Sequence, residues 1–212
     1  MKTLLLSVIL ILAMAPGVQG QWRVGGMVDI NRAHTAISPE PEFRDYMSRL
    51  GFGLGFAADF LISNRMGIHG ELLLQGKGNT IQDEDFDDDL HWKTSWVEIP
   101  LLFRYTLSSS GTARPYVAAG PSIGFLRSAK FSMSGEPDQD DDDAKSMDAS
   151  VVLGGGATFP LRRGSLFGEL RYVRGLVNVV GGDSEGVFEV RNRGLQLVLG
   201  MTFPVGQQRA GE

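Results

Sequence analysis

Residues 50–60 read LGFGLGFAADF. Leu50, Phe52, Leu54, Phe56, Ala58 and Phe60 share one parity, and Gly51, Gly53, Gly55, Ala57 and Asp59 share the other. Side chains alternate across a β-strand, so a period of two held this long predicts a strand with one greasy face and one lean face. The fold turns on where the greasy face points. In a soluble sandwich it would meet a core; in a membrane barrel it would meet lipid.

The same period recurs along the chain. Trp22, Val24, Val28 and Ile30 oppose Arg23 and Asp29, and further on Met66, Ile68, Leu72 and Leu74 oppose His69, Glu71, Gln75 and Lys77. In the next segment Val97, Ile99, Leu101, Phe103 and Tyr105 oppose Glu98 and Arg104. Val117, Ala119, Ile123 and Phe125 then oppose Tyr116 and Ser122, and Met147, Val151, Leu153 and Phe159 oppose Asp148, Ser150 and Thr158. Leu166, Leu170 and Tyr172 oppose Glu169 and Arg171; Leu195, Leu197, Leu199, Met201 and Phe203 oppose Gln196 and Thr202. With the opening stretch these make eight predicted strands, and no segment of similar length carries a helical period. Long links near 31–49, 78–91, 129–146 and 178–191 alternate with short turns near 61–65, 106–113 and 162–165. That order fits an up-and-down barrel with long extracellular loops and short periplasmic turns.

Composition narrows the class. The 212 residues include no cysteine, which excludes disulfides and thiolate metal sites. A net charge of −5 argues against nucleic acid, which needs a basic face. Mean hydropathy is near zero despite the greasy strands, as expected when only alternate residues meet lipid. Residues 1–20, MKTLLLSVILILAMAPGVQG, place Lys2 before an apolar run and then Val18-Gln19-Gly20, the order of a cleaved secretory signal peptide. The expected organisation is therefore a signal at 1–20, a barrel domain at 21–205 and a short tail at 206–212.

The lean parity decides the direction. It mixes Asp59, His69, Glu71, Lys77, Glu98, Arg104, Glu169 and Arg171 with many glycines and alanines. Small residues suit a crowded lumen, and eight strands leave an interior just wide enough for side chains to fill it. Charges buried there must pair, and the mixed signs allow it. Strands of about ten residues at ~3.3 Å each, tilted near ~40°, span the ~25 Å apolar band of an outer membrane. The sequence thus predicts an all-β, eight-stranded antiparallel transmembrane barrel with its grease outward and an interior polar network of those eight residues. Pro100 and Pro121 fall inside strands, and each predicts a bulge or a local break in the ladder.

The ordered pieces GELLLQGKG, WVEIPLLFRY, RPYVAAGPSIGFL, GELRYVRGLVN and GLQLVLGMTF resemble the PorT-type outer-membrane β-barrel domain family of Gram-negative bacteria. The sharpest matches are Glu98–Leu102, Pro115–Pro121 and Arg171–Asn178. The resemblance runs from about Gln21 to Phe203. It implies an eight-stranded barrel in the outer membrane, and it implies no activity. Trp96 departs from the tyrosine common in the family, and residues 204–212 extend past Phe203, the aromatic end that the barrel-assembly machinery would read during insertion.

Possible sites are few. Gly120-Pro121-Ser122-Ile123-Gly124 fits the G-x-S-x-G pattern, but that chemistry needs a strand-to-helix turn and here the strand pattern continues on both sides. His69 and Glu71 share a strand face and could act as base and orienter in a rim-located hydrolase; a structural role in the lumen is the expectation. His34 and His91 fall in links without metal-ligand spacing. The acidic runs Asp83–Asp89 and Asp138–Asp143 offer Asp83, Asp85, Asp87, Asp140 and Asp142 as weak divalent-cation candidates, though neither run has EF-hand spacing. The expectation is a monomeric, non-enzymatic barrel without cofactor. Its expected partners are outer-membrane lipid, lipopolysaccharide and the assembly machinery, with its extracellular loops open to a protein partner. A small transport or channel protein is the alternative.

Overall fold

In the computed structural model the described residues are 21–38, 44–48, 50–83, 90–133, 139–140, 146–176 and 189–205. Eight long strands form the wall: β1 Gln21–Ser38, β2 Leu50–Leu61, β3 Met66–Asp83, β4 Leu90–Thr106, β5 Arg114–Met133, β6 Met147–Pro160, β7 Ser165–Gly175 and β8 Glu189–Val205. Each pairs antiparallel with its neighbours in sequence, and β1 pairs with β8, so the sheet closes on itself. The closing seam runs unbroken from Trp22 opposite Val205 to Ser38 opposite Glu189. Closure removes the free edges that would otherwise leave backbone groups unpaired in lipid. Two short segments, Arg44–Ser48 and Gln139–Asp140, add to β3 and β5 beyond the wall.

Orientation follows the parity of the opening stretch. Phe52 and Phe56 are 67% and 71% exposed on the outer surface, whereas Asp59, His69 and Glu71 are buried within. In water such a surface would be untenable; in lipid it is the matched face. Trp22, Phe60, Tyr105, Phe159 and Phe203 sit at the short-turn ends of five strands, and Trp22 packs on Phe60 at 4.9 Å between ring centres. Aromatic rings at one level mark a membrane–water boundary. The other ends of the strands run further than expected: β1 continues to Ser38 and β3 to Asp83, so much of the predicted link sequence is paired strand.

Both prolines break the ladder without shifting it. Between β3 and β4 the pairing lapses between Gly70–Leu101 and Leu73–Glu98, a gap that the flanking register centres on Glu71 and Pro100. Between β4 and β5 it lapses between Phe103–Ala119 and Pro100–Ser122, opposing Leu101 to Pro121. Register is the same on either side of each gap. The one shift in this pairing lies instead between Ser95 and Trp96, away from both prolines, where β5 carries an extra residue.

Candidate functional site: the interior polar network

The lumen is filled from the lean parity of all eight strands. Two apolar clusters line it, Met27, Ala57, Leu73, Phe167 and Val198 in one and Leu102, Tyr116, Ala118, Val152 and Val173 in the other. Between them lies a closed ring of charged side chains. Asp59 of β2 contacts His69 Nδ1 of β3 at 2.6 Å, and His69 Nε2 contacts Glu71 Oε1 at 2.6 Å. Arg171 of β7 donates to both Glu71 oxygens at 2.8 and 2.5 Å, and its Nε donates to Glu169 Oε1 at 2.6 Å. Arg104 of β4 donates to Glu169 Oε2 at 2.8 Å and to Asp59 Oδ1 at 3.4 Å, which closes the ring.

Each bond in the ring is of the charge-assisted kind, and the Arg171–Glu71 fork is bidentate. Both nitrogens of His69 face carboxylate oxygens, an arrangement satisfied by an imidazolium that donates on each side. With that proton in place the ring carries three cations and three anions. Tyr116 adds a hydroxyl donor to Glu169 at 2.7 Å, and the Arg104 guanidinium lies over the Tyr116 and Phe167 rings at 4.7 and 4.9 Å. Apart from Arg104, which is half-buried, the assembly is buried, which an unpaired charge could not survive without large cost.

Strand order gives the ring its reach. Going round the barrel, β3 and β7 are four strands apart in either direction, so Glu71 and Arg171 come from opposite walls. Their fork therefore crosses the lumen along a diameter. Gly154 of β6 makes room for it: a Cβ there would fall 2.8 Å from Glu169 Oε1 and 3.2 Å from Arg171 Cγ.

Of the eight residues expected in the network, six form the ring. Lys77 and Glu98 pair with each other in a separate contact nearer the extracellular end, where Lys77 also lies 5.9 Å from the Trp96 ring centre. A third cluster joins Asp29 to Asn31 at 3.0 Å and to Gln75 at 2.6 Å, with Gln196 reaching Gln75 at 3.4 Å. Tyr116 and these neutral partners were absent from the expected network, although their inward parity was readable.

The hydrolase alternative finds little support in this geometry. His69 has both ring nitrogens occupied and is fully buried, which leaves no nitrogen to take a substrate proton. Ser122 is a buried mid-strand residue opposite Pro100 and Ser150, not the exposed tip of a strand-to-helix turn. Asp85, Asp87 and Asp142 lie outside the described residues, and of Asp83 and Asp140 only the backbone is described. The side chains of His34 and His91 are likewise outside it.

No curated protein matches the chain. Among solved structures, the outer membrane protein OprG of Pseudomonas aeruginosa is similar at 11% identity and a TM-score of 0.59, over 89% of this chain and 97% of that one. Ail of Yersinia pestis, crystallised with a heparin analogue, is 16% identical with a TM-score of 0.43, over 86% and 99%. The outer membrane enzyme PagL is 15% identical with a TM-score of 0.40, over 84% and 99%. OprG shares the fold, and the two weaker likenesses carry no argument about activity. A family model for the outer membrane protein beta-barrel domain matches residues 15–181. The chain belongs to that family, and its place is the outer membrane.

Proposed function

We propose that this protein is a non-enzymatic, non-conducting outer-membrane barrel of the PorT type, whose wall serves as a scaffold for structural, surface-interaction or assembly-accessory work at its extracellular segments. A single observation carries the reading: the Arg171–Glu71 fork crosses the lumen between opposite strands and is locked into a ring of paired charges. A conducting pore needs a continuous aqueous path, and a ring of this kind lies across it. The chain reaches the membrane through a signal peptide cleaved near Gln21, is inserted by the assembly machinery and works as a monomer.

Lipopolysaccharide is the lipid partner best suited to the outer surface. Arg174 of β7 and Arg193 of β8 are directly opposed and both exposed on the lipid-facing side of the extracellular half. Like charges directly opposite in a sheet repel, and an anionic phosphate between them turns that repulsion into a binding contact.

Single-channel recording in planar bilayers tests the reading. The scaffold predicts no discrete conductance steps from correctly folded protein, confirmed as folded by its shifted migration on unboiled SDS gels. Regular, voltage-stable openings would favour the transport alternative.

A further inference from the structure

The short-turn mouth of the barrel holds a second, differently built site. Below the charged ring, a cavity of about 420 Å³ opens toward the periplasm. Four guanidinium groups line it: Arg23 from β1, Arg65 from the β2–β3 turn, Arg104 from β4 and Arg114 from the start of β5. Asp59 is the one carboxylate among the described lining residues, and it is already engaged by His69 and Arg104.

Unlike Arg104 and Arg171, the remaining three arginines form no ion pair with a carboxylate among the described residues. Arg23 donates to the Ser165 hydroxyl at 3.1 Å, a neutral acceptor. Arg114 keeps a buried Nε with no hydrogen-bond partner among the described residues. Arg65 is exposed at the rim, and Ser109 and Thr158 add hydroxyls to the same wall. Three guanidinium groups line a cavity whose one described carboxylate, Asp59, is already engaged by His69 and Arg104, so their donors are left underused. The natural complement is an oxyanion, because the guanidinium fork matches carboxylate and phosphate geometry in a way an ammonium does not. The cavity's size is within the range that encloses one small ligand, from about 300 to about 1,000 Å³.

We propose that this periplasmic vestibule binds an oxyanion, the phosphate or carboxylate of a small molecule or lipid headgroup, between Arg23, Arg65 and Arg114. The site is separate from the lumen plug and from the outer surface, and it gives the scaffold a specific contact on its periplasmic side.

Isothermal titration of the folded full-length barrel in neutral detergent micelles tests the site, with inorganic phosphate, glycerol 3-phosphate and citrate as probes. A saturable single-site isotherm is expected for at least one of them. Arg114→Gln should weaken it about tenfold, the scale of a lost charge-assisted bond. Arg65→Gln should also weaken it, and because Arg65 is exposed in a turn this variant keeps the wall intact. Arg162→Gln, on the β6–β7 turn and outside the cavity, should leave binding unchanged. Doping the micelles with phosphatidylglycerol separates the sources: suppression of the soluble probe's heat identifies a lipid phosphate, and an unchanged isotherm identifies a soluble anion. Absence of saturable heat with all three probes overturns the proposal. So does binding that Arg114→Gln and Arg65→Gln leave intact.

Discussion

Arg171 and Glu71 are a hundred residues apart in sequence and four strands apart around the barrel, yet they meet through two parallel hydrogen bonds of 2.8 and 2.5 Å. Each also has a second partner within the ring. Arg171 is held between Glu71 and Glu169, and Glu71 between Arg171 and His69. The pair is thus a strut across the lumen, and its removal from one side strands a charge on the other.

Arg171→Met should therefore cost about 3–5 kcal/mol, the scale for breaking a buried pair and leaving its partner uncompensated. Replacing both partners, Arg171→Met with Glu71→Leu, should cost less than the sum of the single changes, because no unpaired charge remains on that side. Urea unfolding in micelles, followed by tryptophan fluorescence, gives the cycle. Additive costs would mean that the two side chains do not depend on one another. By the same logic Glu98→Lys, which sets two cations against each other, should be more damaging than Glu98→Gln.

Phe56 tests the orientation of the opening stretch. It projects from the middle of β2 into the apolar band, so Phe56→Arg should destabilise the folded barrel by about 2–4 kcal/mol in a lipid bilayer. The measure is the unfolding midpoint in phosphocholine vesicles. A neutral or stabilising effect would mean that this face meets water.

The direction of the grease was legible because lipid acts on every second residue. Phe52 and Phe56 differ from Gly53 and Gly55 for one physical reason, repeated in eight strands. Where that reason ends, so does legibility: after Ile30 the strand continues through Asn31, Arg32, Ala33 and His34 with no apolar face, because beyond the bilayer nothing requires one. The members of the network were readable from parity, but not their pairing. Lys77 meets Glu98 and not the ring, and Arg104 meets Glu169 of β7, because strand tilt sets which inward residues share a level. The prolines show the same limit. Their missing donors predicted broken pairing, and the gaps are there, but an unchanged register across each gap is a property of the closed sheet.

Gly154 should be intolerant in a way its neighbour is not. A valine at 154 would drive its side chain into Glu169 and Arg171, whereas Gly155 faces outward, and the nearest atom its Cβ would meet, at 3.8 Å, is the Tyr116 carbonyl oxygen. Gly154→Val should cost about 1–3 kcal/mol through overpacking and misplacement of the ring. Gly155→Val should leave the unfolding midpoint within error. Equal effects would place the cost in backbone propensity and not in the network.

Pro121 offers a test of what the wall gains from an interrupted ladder. The flanking register opposes it to Leu101, and pairing with β4 lapses there while pairing with Val151 on the other side is kept. Proline has no N–H to give, so the carbonyl opposite loses a donor inside the membrane band. Pro121→Val supplies that donor. The regained hydrogen bond should stabilise by about 0.5–1.5 kcal/mol. Losing proline's restriction of the unfolded chain should remove about 0.4–1 kcal/mol, so the midpoint should move little. Local opening should respond more: amide exchange at Leu101 and Leu102 should slow, since the gap that exposes them is closed. A midpoint that falls sharply with unchanged exchange would mean that the proline ring, lipid-facing and exposed, contributes by its shape and not through the bond it withholds.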